Sequence, residues 1–209
     1  MPTTPTKEKI LDATIALVSQ KGYLGATTRE IARGAGVTEL TLFRHFGTKE
    51  KLFEACLNRS TFLPTLKELM PDLESMTYDD ALRTVARSFL LSLKARKPIV
   101  KIMQAEMCRY PDKMRKMSGT FFDGMLGTLA AYFTARQRKG ELRSFPPEVA
   151  ARMFLGMLFA YFRTEEIMRG IDITKKGRMD EAVEGFVDIF VNGTTAVRNG
   201  VLNLKGKRK

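Results

Sequence analysis

Along this chain apolar side chains recur at three- and four-residue steps, and the rhythm stops wherever glycine, proline or a capping hydroxyl stands. That spacing puts apolar groups on one face of an α-helix, whereas a strand needs alternation by two. No stretch alternates, so the expected fold class is all-α. Ile10, Leu11, Ala13, Thr14, Ile15, Leu17 and Val18 set the pattern between Lys7 and Gln20, with Gly22 placed as its stop. Pro64 and Pro71 punctuate the stretch from Leu63 to Met70. Longer helices are expected from Thr77 to Ala95, from Pro98 to Met107, from Pro111 to about Lys139, from Pro146–Pro147 to about Met168 and from Met179 to Asn199. Residues 201–209, with Lys205, Lys207, Arg208 and Lys209, read as a disordered basic tail.

The charge balance narrows the partners. Lys and Arg number 35 against 23 Asp and Glu, a net charge of +12 over 209 residues, which favours polyanions. The apolar run from Met153 to Phe162 falls short of the roughly 20 residues of a spanning helix, and no apolar segment follows the polar start, so neither a membrane span nor a secretory signal is expected. Cys56 and Cys108 match no zinc spacing, and a reducing cytoplasm with both thiols buried is the expectation. His45 is the lone histidine, and no nucleophile elbow or phosphate-binding glycine motif occurs, so neither a metal, a cofactor nor catalysis is expected.

Between the first helix and Lys49 the spacing is that of two short helices crossing at a tight turn. Thr27 and Glu30 form a capping box, Ile31, Ala32 and Ala35 make an inner face, Gly36 permits the turn, and Thr38 caps a helix from Glu39 to His45. Val37, Leu42 and Phe46 point inward. In a helix-turn-helix the second helix enters the major groove with its N-terminal residues on base edges. That leaves Thr38, Glu39, Thr41, Phe43 and Arg44 on the outer side, with Thr28 and Lys49 at helix N-termini suited to phosphates. Arg29 reaches a guanine edge or a phosphate, and His45 packs or touches phosphate.

Lys9–Thr14, Gly22-Tyr23, Thr27–Ala32, Ala35–Thr38 and Thr41–Leu52 together resemble the DNA-binding domain of the TetR/AcrR family of bacterial transcriptional regulators. The resemblance implies a ligand-responsive repressor, usually a homodimer, with a variable C-terminal ligand domain. It puts Thr28, Thr41, Phe43 and Lys49 among phosphate contacts and Arg29, Glu39 and Leu40 near bases. Phe43 departs from the family's tyrosine and loses a hydroxyl there. The expected division is a helix-turn-helix domain at 1–53, an effector-binding and dimerisation domain at 54–200, and the tail.

Two helices of the body carry apolar stripes too wide for one neighbour. Phe154, Leu155, Phe159 and Phe162, with Val183, Phe186, Val187 and Phe190, are therefore the expected dimer face, a four-helix bundle across a two-fold axis. Methionines and aromatics crowd the chain from about 95 to 162. Met103, Met107, Tyr110, Phe121, Phe122, Met125, Tyr132, Met157 and Tyr161 are the expected walls of a cavity for a small hydrophobic effector. Gly119, Gly124 and Gly127 leave room for it, and Glu106 gives it a negative group that favours a cationic ligand. The reading is a cytoplasmic, nucleoid-associated homodimer that leaves a palindromic operator when effector binds, with the helix at Lys49 as mechanical link. Its rivals are a sequence-nonspecific architectural protein drawing on the +12 charge and a helical enzyme using Glu106, Asp123 and Tyr161.

Overall fold

The computed structural model describes residues 5–59 and 61–195, without the side chains at 113, 114, 116–118, 120 and 121. The described residues form ten α-helices: α1 (Thr6–Gly25), α2 (Thr28–Gly34), α3 (Glu39–Phe46), α4 (Lys49–Arg59), α5 (Leu63–Ser75), α6 (Tyr78–Ala95), α7 (Lys97–Arg109), α8 (Pro111–Arg138), α9 (Pro147–Phe162) and α10 (Arg178–Thr194). Among them no helix is long and apolar enough to cross a membrane. The basic tail at 201–209 and the far end of the last expected helix, at Asn199, lie outside the described residues.

The apolar side chains gather into two cores. The head core joins Ile10, Leu11 and Val18 of α1 to Ile31, Leu42, Leu52 and Phe53, and then takes in Cys56 and Leu57 of α4 and Ile99 and Ile102 of α7. It thus reaches past residue 53. Arg59 binds the α4 end back to α1 through Glu8 at 2.6 Å and Asp12 at 2.7 Å. The second core fills the body between α5, α6, α8, α9 and α10.

Four details depart from the expected helices, each for a local reason. Gly22 breaks α1 with φ 73°, and the chain makes one further turn that buries Tyr23 at 1% exposure. A Cβ at Gly22 would lie 3.0 Å from Glu106 Oε1. With ψ 171° Gly22 lies in a region essentially reserved for glycine, so Gly22→Ala is expected to cost about 1–3 kcal/mol in backbone conformation, a Tm loss of roughly 2–12 °C for a chain of this size. Calorimetry showing an unchanged Tm would mean that the kink relaxes without strain.

Pro71 does not end α5. It sits on the exposed side, while Leu66 and Leu73, both fully buried, anchor the turns on either side of it. After Phe162 the ladder widens into a π turn, Arg163–Met168, in which Glu166 is buried. Lys94 at 3.2 Å and Lys97 at 2.6 Å supply the counter-charges that a buried carboxylate requires. Burial opposes the Glu166 charge, but the bonds from Lys97, Ile173 N–H and Lys94 hold its carboxyl below the usual range. Finally, α10 stops at Thr194, where Thr195 turns extended and bridges to Leu142. Arg143 donates to the Gly193 carbonyl at 2.6 Å and, through its backbone N–H, to Thr194 at 3.0 Å, satisfying carbonyls that the helix leaves open.

Candidate functional site

The local chemistry of the head builds one exposed helix on a rigid base. Thr27 accepts from Glu30 N–H at 3.2 Å while the Glu30 carboxylate accepts from Thr27 N–H at 3.3 Å, closing the capping box on α2. Lys21 at 2.6 Å, with Thr27, pulls the Glu30 carboxyl down to about 2. Gly36, at φ 69°, makes the turn, and Thr38 accepts from Thr41 N–H at 3.2 Å to start α3. Leu42 and Phe46 are buried beneath α3. Its other side faces outward: Leu40 is 62% and Phe43 40% exposed, beside exposed Arg44 and His45, with Arg29 exposed on α2. Two large apolar side chains held in water next to cations form a surface matched to thymine methyls, sugars and phosphates.

Several of the expected contact groups are already engaged. The Thr28 hydroxyl donates to the Glu39 carboxylate, clasping the start of α2 to the start of α3. Glu39 is thus a positioning group for the pair of helices, and the Thr28 oxygen reaches phosphate only if that bond opens. The Thr38 and Thr41 hydroxyls bond each other at 2.9 Å. The Lys49 ammonium lies 4.7 Å from the Tyr23 ring centroid and 3.4 Å from the Leu24 carbonyl. The Thr28–Glu39 and Lys49–Leu24 pairings link residues 11 and 25 positions apart, and no periodicity announces them.

The body contains a mostly apolar cavity of about 370 Å³, within the span of small-molecule sites. Its walls come from Leu57 of α4, from Phe62, from Phe89, Leu93 and Arg96 at α6, from Ile99, Met103, Met107 and Cys108 of α7, from Phe122 and Met125 of α8, and from Phe159 and Arg163. Of the expected walls, Met103, Met107, Phe122 and Met125 line it. The others do not. Tyr132 is 3% exposed in the body core, its ring 5.8 Å from Phe133. Tyr161 donates to the Arg178 carbonyl at 3.2 Å and meets Phe186 edge-on. Met157 lines a groove between α9 and α10 on another face. Tyr110 caps α7, and the Phe121 side chain lies outside the described residues.

Three further expectations are corrected. Glu106 is 3% exposed on the side of α7 that faces the head, against Gly22, so it gives the cavity no charge. A Cβ at Gly124 would lie 2.9 Å from Leu63, so α5 takes the room that this glycine leaves. Cys108 is exposed, unlike Cys56, whose thiol burial pushes up to about 12.

The expected dimer face is corrected too. Phe154, Leu155, Phe162, Val183, Val187 and Phe190 are all at most 8% exposed inside a single chain. Phe159 faces the cavity and Phe186 packs on Tyr161. The same helices expose a different stripe: Val149 at 52%, Met153 at 62% and Ile189 at 71%, with Gly156, Ala160, Gly185 and Gly193 between them.

The comparisons with known proteins agree with this architecture. Residues 10–56 match the family model described as bacterial regulatory proteins of the tetR family, and residues 80–193 match that of the AefR-like transcriptional repressor C-terminal domain. The helix-turn-helix-type transcriptional regulator YvkB of Bacillus subtilis, itself uncharacterized, is 32% identical over 158 residues, 76% of this chain and 82% of its own length. The fold resembles the fatty acid degradation regulator FadR from Bacillus halodurans (TM-score 0.69, 18% identity, 92% of this chain and 98% of that one). It also resembles FadR from Bacillus subtilis, solved in complex with stearoyl-CoA (TM-score 0.68, 19% identity, 89% and 98%). The chain is a helix-turn-helix transcriptional regulator. It belongs to the tetR family of bacterial regulatory proteins.

Proposed function

We propose that this protein is a homodimeric repressor that holds a palindromic operator through α3 and lets it go when a small, largely apolar molecule fills the body cavity. It acts by binding rather than by turnover, on chromosomal DNA in the cytoplasm. One observation carries the coupling. Leu57 of α4 and Ile99 of α7 belong at once to the cavity wall and to the head core. A ligand that pushes on them shifts the base on which α3 stands, because packed interiors transmit displacement. The link therefore runs through α7 as well as through the helix at Lys49. FadR, solved with stearoyl-CoA, supports the idea that such a body admits an apolar ligand.

Dimerisation uses the exposed stripe of α9 and α10. Gly156, Gly185 and Gly193 leave open space where a Cβ would stand. The helices of a second copy can approach closely there, and Val149, Met153 and Ile189 lose their water. Two heads spaced by about 34–36 Å then meet successive half-sites.

Selection of bound sequences from random duplexes tests the proposal, with an enriched palindrome as the expected result. Arg29→Ala and Arg44→Ala, both at exposed positions, are each expected to weaken the selected operator by about 1–3 kcal/mol at fixed salt, without change in Tm. Gel-shift titrations showing wild-type affinity in both variants would remove α3 and its neighbour from the interface. Equal affinity for random and selected duplexes would favour an architectural protein instead.

A further inference from the structure

The cavity carries the opposite charge from the one that Glu106 suggested. Among the described residues, its charged lining groups are two guanidiniums, Arg96 and Arg163. Arg96 stands at the junction of α6 and α7, partly buried, and donates to the Ser92 hydroxyl. Among the described residues no carboxylate pairs with it. The acids of this corner, Glu166 and Asp172, are taken by Lys94 and Lys97. Burial pushes the Arg96 guanidinium below the usual arginine range, with no acid to offset it. A partly buried cation without a counter-charge is held at a free-energy cost that an incoming anion relieves.

Geometry gives that anion an address. Lys97, the residue after Arg96, is bound at 2.6 Å to Glu166 in the π turn that Arg163 opens. Arg96 precedes Lys97 at the start of α7, and that ion pair ties the start of α7 to the π turn, so the chain at Arg96 and the chain at exposed Arg163 both lie toward the N-terminal end of α7. From there the cavity follows α7 through Ile99 and Met103 to Cys108, where the exposed Phe122 marks the other end. At 1.5 Å per residue, Ile99 to Cys108 spans roughly 13 Å of apolar wall.

We infer that the cavity takes an anionic amphiphile, with a carboxylate on Arg96 and Arg163 and a linear apolar body laid along α7. This rests on reading the cavity as the effector site. Planar guanidinium and carboxylate match in a two-bond fork, which a hydroxyl cannot reproduce and an ammonium reverses.

Calorimetric titration of the full chain with decanoate, 1-decanol and decyltrimethylammonium, each below its micellar concentration, tests the inference. Decanoate is expected to bind about tenfold to a hundredfold more tightly than decanol, with the cation weakest. Arg96→Gln is expected to erase that preference while leaving decanol affinity within about twofold. Equal binding of decanoate and decanol to the wild-type protein, or tightest binding of the cation, overturns the inference and leaves the cavity reading standing. The head-group series needs no variant, so misfolding of Arg96→Gln would not shelter the idea. Decanoate that binds as expected yet leaves the operator complex intact supports the ligand class and sinks the effector reading. Failure of every probe to bind overturns both.

Discussion

A protein carrying Met153→Arg and Ile189→Arg together is expected to run as a folded monomer and to bind its operator about 10²–10⁴-fold more weakly than the wild type. Both side chains are among the most exposed large apolar groups of the chain, at 62% and 71%, so neither change disturbs the protomer core. In a two-fold interface each substitution appears twice. Four guanidiniums would then be buried between glycine-lined helices with no acid to pair them, and unpaired buried charge is strongly destabilising. The operator loss follows because two linked heads bind far more tightly than one. Light scattering coupled to size exclusion reports the mass, circular dichroism the fold, and a gel shift the affinity. A variant that remains a dimer with intact operator binding would place the interface elsewhere on the molecule.

Phe154→Ala is expected to do the reverse and remove about 3–5 kcal/mol of protomer stability. Phe154 is fully buried, and its ring meets that of Phe190 edge-on at 5.0 Å, at the point where α9 and α10 pack within one chain. Truncation leaves a hole that surrounding Leu155, Leu158 and Val187 cannot close without leaving their own packed positions. Urea unfolding at fixed protomer concentration measures the loss, because dimerisation itself adds concentration-dependent stability. Should Phe154→Ala shift only the monomer–dimer equilibrium, with protomer unfolding unchanged, the ring would belong to the interface after all. Met153 and Phe154 are adjacent on α9, so the opposite behaviour of their variants reads out which face of α9 is turned inward.

The head was legible because its determinants are local. Thr27 and Glu30, or Thr38 and Thr41, act within a single turn, and Gly36 answers a backbone requirement at one position, so residue order alone reports them. The Thr28–Glu39 clasp was not legible, since its partners meet only once the two helices have crossed. In the body, Met103, Met107, Phe122 and Met125 were found by composition, whereas Tyr132, Tyr161 and Glu106 were misplaced. Composition shows that a helix carries apolar groups but not which neighbour each side meets. Arg96 went unnoticed as a cavity group for the same reason. In the sequence it is one cation among Lys94, Lys97 and Lys101, and only packing shows that Lys94 and Lys97 have acids while, among the described residues, no acid pairs with Arg96.

From residue order alone came the helical class, the capped helix-turn-helix, the exposed side of its second helix and the presence of an apolar body. Tertiary structure decided which apolar stripe of α9 and α10 is core and which is left exposed. It decided too that α7 joins cavity to head, and that the charge in the cavity is positive. The physical reason is that caps, turns and periodicity are settled within about one helical turn. Burial and pairing are properties of side chains brought together from distant parts of the chain. An all-round apolar helix such as Met153–Phe162 has more than one face that can be buried, and only packing selects among them.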